Sequence, residues 1–180
     1  MARLSQPSRA QLSPEGQAAW DVIGGSRGSV RGPHLMLIHN PPLAAAVGRL
    51  GEQLRFNSTL PGAERELAIL TAAREVGSAY EWIAHRPIAE REGARPEAIE
   101  AVRTLAAPDA LSLRERVIVE CVRSLYRTRA LPDDLYARAA AELETAQLVE
   151  LVTLAGFYGM IAFVLLGFEV ELPEGTPAPF

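Results

Sequence analysis

The sequence predicts an all-α protein. Three observations predict it. Apolar residues recur at helical spacing in segment after segment, and none alternates convincingly with period two. Proline and glycine punctuate the chain, so that each apolar run has a start and a stop. Hydrophobic residues make up 48% of the 180, enough for a substantial core.

In chain order, residues 1–12 read as a disordered arm, 13–172 as a single all-α domain and 173–180 as a Pro-rich tail. Ser13-Pro14-Glu15 starts a helix, with Ser13 as N-cap, that runs to about Ile23 and stops at Gly24-Gly25. Residues 24–34 read as a loop and Leu35-Met36-Leu37-Ile38 as a short apolar turn. Asn40 caps the next helix, whose first turn holds Pro41 and Pro42 and which reaches about Phe56. Pro61 opens a third helix that ends at Gly77, and Ser78 caps a fourth that closes near Gly93. Pro96 opens a fifth. Ser112 and Glu115 have capping-box spacing for a helix to about Arg127. Pro132 opens the next, to about Leu143, and Thr145 caps a long apolar helix. A faint repeat aligns Arg65-Glu66 with Arg114-Glu115, Ile69 with Ile118 and Arg74 with Arg123. Two similar helical units are one reading of it.

Composition excludes several classes. The net charge of −4 offers no broad basic surface, so no nucleic-acid partner is expected. All 18 basic residues are arginine, a residue suited to carboxylate recognition. The single cysteine, Cys121, forms neither an internal disulfide nor a two-thiol redox centre, and its apolar helical setting reads as a buried thiol. The first residues are polar and carry no signal-peptide pattern, so a cytoplasmic location is expected. Residues 151–168 run for eighteen positions without a charge, near the length of a membrane span. They lack Lys or Arg anchors, so the expectation is no membrane but a helix buried on all sides, in the core or at a subunit interface.

The chemistry concentrates in Glu64–Gly93, ERELAILTAAREVGSAYEWIAHRPIAEREG. Glu81 and His85 are four apart and share a helix face, with Ser78 near the same stripe. Glu66 lies on the preceding helix across the Gly77 break, which can fold it back toward His85. The set supplies an imidazole, two carboxylates and a hydroxyl. Histidine exchanges protons near neutral pH, and a neighbouring carboxylate selects its tautomer. The spacing equally permits a solvated Glu81–His85 pair with Glu66 bound to an arginine. Two ligands do not make a metal site, and His34 and His39 lie far off in loop-like sequence, so no metal is expected.

This stretch resembles the carboxymuconolactone decarboxylase and alkylhydroperoxidase D superfamily. Redox members carry E-x11-C-x2-C-x3-H, and Glu66, Ser78, Glu81 and His85 stand at those four positions with that spacing. RELAILTAARE and YEWIAH look like the carboxymuconolactone decarboxylase-like branch. The likeness runs over roughly residues 33–175. It implies an alkylhydroperoxidase D-like helical bundle, a homo-oligomer and a small-molecule substrate. Both motif cysteines are replaced, by Ser78 and Glu81, and a hydroxyl and a carboxylate do not cycle through a disulfide. A peroxidase-type function is therefore the disfavoured alternative, and a non-catalytic helical oligomer is another. The expectation is a cofactor-free lyase acting on a small carboxylated lactone or similar ring. His85 would be the general acid/base, Glu66 its orienting or relay partner and Glu81 the residue that tunes the pair. Ser78, Arg74, Tyr80 and Trp82 would contact substrate, with Arg65 or Arg74 holding its carboxylate; core packing is the alternative reading of the two aromatics.

Overall fold

Nine α-helices and no strand are found among the residues that the computed structural model describes, 2–180. The helices are α1 Pro14–Arg27, α2 Pro33–Leu37, α3 Pro41–Phe56, α4 Gly62–Val76, α5 Ala79–Arg91, α6 Pro96–Arg103, α7 Leu113–Thr128, α8 Asp133–Glu142 and α9 Thr145–Gly167. The chain divides into two compact units. One takes the chain to Asn57 together with Ile161–Glu171; the other takes Ser58–Met160 and Leu172–Phe180. Both copies of the faint repeat, on α4 and α7, fall in the second unit.

In the first unit, α1 packs on α3. The first helix does not stop at Gly24-Gly25, as the sequence suggests, but continues to Arg27 and ends on Gly28. A helix-interior glycine costs only about 1 kcal/mol relative to alanine, and burial of Ala19 and Ile23 against α3 outweighs it. Residues expected to form a disordered arm are tied down. Arg9–Gln11 make a 3-10 turn, Arg3 donates its backbone N–H to Phe168 O, and its guanidinium reaches Glu169 at 2.5 Å.

The second unit is organised around α4. Its residues Glu66 to Ala73 are all buried, so this helix, not α9, is the one enclosed on every side. Small side chains in LAILTAA let α5, α6 and α7 close on it. Leu67, Leu70, Trp82, Ile99, Val102 and Val119 form the core between them. Gly77, at φ 79°, supplies the left-handed residue that ends α4 and lets α5 turn back. The Ser112 and Glu115 capping box forms as expected.

The α9 helix is long and apolar enough to cross a membrane by length and composition, yet only 56% of its most apolar stretch is buried. Leu151, Leu154 and Tyr158 face inward, while Val149 is 62% exposed and Val152 and Met160 are also open. Hydropathy alone cannot separate such a one-sided helix from a central one, because both of its faces are apolar.

Candidate functional site

The hairpin of α4 and α5 brings the two carboxylates to the imidazole. Glu66 lies in the middle of the enclosed α4 at 1% exposure, the one charged residue in its buried run. An isolated buried carboxylate is costly and requires partners. Two are present: His85 Nδ1 lies 2.7 Å from Glu66 Oε2, and the Arg65 guanidinium donates to Glu66 Oε1 at 3.2 Å. Burial pushes the Glu66 carboxyl up, but the His85 hydrogen bond and charge, with Arg65, outweigh it and hold the carboxyl below its ordinary value. Arg65 also extends toward Glu92, at 3.8 Å.

The opposite edge of the imidazole faces Glu81. His85 Nε2 and Glu81 Oε2 are 3.7 Å apart, beyond a direct hydrogen bond, and both residues are buried. A buried His with Nδ1 committed to a carboxylate offers Nε2 for proton exchange. The solvated-pair reading of Glu81 and His85 does not fit this burial, because a surface pair would leave both side chains in water.

Ser78 is also buried, at the start of α5. It does not cap the helix with its side chain, and its hydroxyl has no hydrogen-bond partner among the described residues. Ser78 lies three residues before Glu81 on the same helix face, and Tyr80 is half-buried. Arg74 and Trp82 are committed elsewhere. Trp82 sits in the core between α4, α5 and α6, at 1% exposure, with its ring edge-on to Phe180. The Arg74 guanidinium covers the Phe180 ring and donates to Arg103 O at 2.7 Å. Arg65, not Arg74, is the cation beside the Glu66–His85 pair.

Two tyrosines join the site that sequence reasoning did not single out. Tyr158, on α9, meets the His85 ring edge-to-face at 5.0 Å. Tyr126, on α7, donates its hydroxyl to Ala155 O at 2.7 Å. Burial first, and then the charge of Glu81, push the Tyr126 hydroxyl up, so it stays a neutral donor. It fits only because position 159 is glycine: a Cβ there would stand 2.7 Å from the hydroxyl oxygen. Both tyrosines are remote in sequence from Glu64–Gly93; the one signal in the sequence was a Gly within the apolar α9 run.

Cys121 is buried, and burial with the nearby Glu120 pushes its thiol up to about 11, so it is not a ready thiolate. No group of three or more His, Cys, Asp or Glu side chains among the described residues has an arrangement suited to a metal ion.

The helical architecture is that of alkylhydroperoxidase D-like proteins. The debrominase Bmp8, solved as a cysteine-to-alanine variant in complex with 2,3,4-tribromopyrrole, superposes with TM-score 0.78 at 15% identity, covering 99% of this chain and 96% of that one. An uncharacterized peroxidase-related protein from Silicibacter sp. TM1040 gives 0.75 at 18% identity, over 96% and 92% of the two chains. A protein of unknown function from Agrobacterium tumefaciens, ATU0492, suggested to be the antioxidant-defence protein AhpD, gives 0.65 at 20% identity over 76% and 94%. No curated protein matches the sequence. Residues 41–124 match the carboxymuconolactone decarboxylase family model, and this match supports, with the alkylhydroperoxidase D-like fold of the solved structures, a likeness to the carboxymuconolactone decarboxylase and alkylhydroperoxidase D-like superfamily.

Proposed function

We propose that this protein is a cofactor-free lyase of the carboxymuconolactone decarboxylase-like branch, moving a proton on a small carboxylated lactone or similar ring. The observation that carries the reading is the buried 2.7 Å contact between His85 Nδ1 and Glu66. With Nδ1–H donated to the carboxylate, Nε2 is the ring nitrogen that can give and take a proton. In the reaction, the bond to the carboxylate carbon breaks and CO2 leaves. Its electron pair is taken up by the lactone carbonyl as an enolate, and the Nε2 proton is delivered to carbon. Glu66 then stabilises the resulting changes in imidazole charge, and Arg65 offsets the charge of Glu66. The family match supports the branch. A dithiol cycle would need thiols at positions 78 and 81, and these hold Ser and Glu.

The test is a panel of carboxylated five-membered lactones, with CO2 release and deuterium incorporation from D2O as readouts. A brominated pyrrole and an organic hydroperoxide with a dithiol reductant serve as comparison arms. CO2 release with deuterium at the former carboxylated carbon is expected. Turnover confined to the bromopyrrole or hydroperoxide arm would refute the lyase reading.

We further propose a homo-oligomer through the outer face of α9, where Val149, Val152 and Met160 are exposed within one stripe. Light scattering of the Val149→Asp/Val152→Asp variant should report a smaller particle than the parent; an unchanged mass would sink the assignment.

A further inference from the structure

We propose that residues 172–180 are a strap whose Phe180 plugs a notch between Arg74, Trp82 and Arg103, and so clamps the first half of α5, which carries Glu81 and His85. Three contacts within the second unit carry the inference. The Phe180 ring meets Trp82 edge-to-face at 5.5 Å, with an interplanar angle of 85°. The Arg74 guanidinium lies 4.5 Å from the Phe180 ring centroid. Arg103 donates to Pro179 O at 3.3 Å, while its own carbonyl accepts from Arg74. The strap thereby touches α4, α5 and α6 at once.

The chemistry of the segment suits a strap. Pro173, Pro177 and Pro179 bias it toward extended backbone that joins no helix, and so lower the entropy lost on docking. Phe180 remains 38% exposed, so its ring is held from one side and can leave. Trp82, in contrast, is 1% exposed, and its indole N–H has no partner among the described residues, so its place is set by packing.

The helix being clamped has an internal weakness. Pro87 lies inside α5, two residues after His85. Proline has no N–H to donate to the carbonyl four residues earlier, at Ile83, so the helical ladder is interrupted alongside the site. The half of α5 before this break is held to the rest of the unit by the His85–Glu66 hydrogen bond and by side-chain packing, in which Trp82 is its largest core side chain. Pinning Trp82 from outside steadies the turn on which Glu81 and His85 sit. The strap would steady α5 whichever reaction the site performs.

Hydrogen exchange on the full-length Phe180→Ala chain tests this, with Phe180→Tyr as the variant that keeps the ring. Loss of the edge-to-face pair and the guanidinium contact should speed amide exchange in α5 over residues 81–86 by about tenfold. Exchange in α7 should stay at the parent rate, and Phe180→Tyr should restore α5 protection. In a Trp20→Phe background, Trp82 emission should shift to the red and become more quenchable by acrylamide in Phe180→Ala. Parent-like exchange in α5 would overturn the proposal. Equal acceleration in α5 and α7 would overturn it too, because it would mark a general loss of stability and not a local clamp.

Discussion

Replacing Glu66 with Ala should destabilise the fold by about 3–5 kcal/mol, because it strips a buried, charge-paired network of its acceptor. His85 Nδ1 and the Arg65 guanidinium would both lose the carboxylate that they now share. Domains of this size are stable by about 5–15 kcal/mol, so the loss takes a large part of the total. Glu66→Gln keeps an acceptor of the same shape and should cost less. The pH dependence has a definite sign. The folded-state carboxyl lies below its ordinary value of 4.5, so its contribution is fully present above that value. It is lost as the pH falls through the lower folded value, where protonation breaks the link to His85. Urea unfolding of the parent and Glu66→Gln at neutral and acid pH measures this. The gap between them should shrink on acidification, and a gap that is constant or grows would exclude Glu66 as the coupled group.

Replacing His85 should abolish turnover on whichever lactone the panel identifies. General acid–base groups contribute about 10²–10⁴-fold, and the loss should fall in that range. The choice of variant matters, because His85 is also the partner that makes burial of Glu66 tolerable. His85→Ala leaves Glu66 with Arg65 alone and tests chemistry and stability together. His85→Asn offers an amide donor toward Glu66 but exchanges no protons near neutral pH, so it separates the two. It should keep the helical CD signal and most of the unfolding midpoint while turnover disappears. Unaltered turnover in His85→Asn would remove the imidazole from the mechanism.

Much of the fold was legible because its signals are local. Prolines at 14, 41, 61, 96 and 132 fall at or just before the first residue of a helix, where a missing N–H costs nothing. Ser112 and Glu115 interact three residues apart, within one turn, so their spacing suffices to predict the capping box. The Glu66–His85 contact was legible for a related reason: one glycine-broken hairpin joins their helices, and a connection of only Gly77 and Ser78 leaves little freedom in how the chain returns. The exceptions are instructive. Gly24 and Gly25 look like a stop in sequence, but packing against α3 carries the helix past them. Arg74 and Trp82 look like site residues because they flank the motif. Helix phase and the distant Phe180 turn them away from it.

The sequence by itself determined the helices, their punctuation, the superfamily motif and the absence of a thiol pair at its redox positions. Each is a matter of residue type and short spacing. Only the tertiary structure decided what surrounds the 64–93 stretch. It enclosed α4 and left one face of α9 open, because enclosure depends on which helices close on a surface and not on how apolar that surface is. It set Tyr126 and Tyr158 beside Glu81 and His85 through the close approach that Gly159 permits. Such long-range neighbours carry no mark in the local pattern, since their spacing along the chain is unrelated to their distance in space.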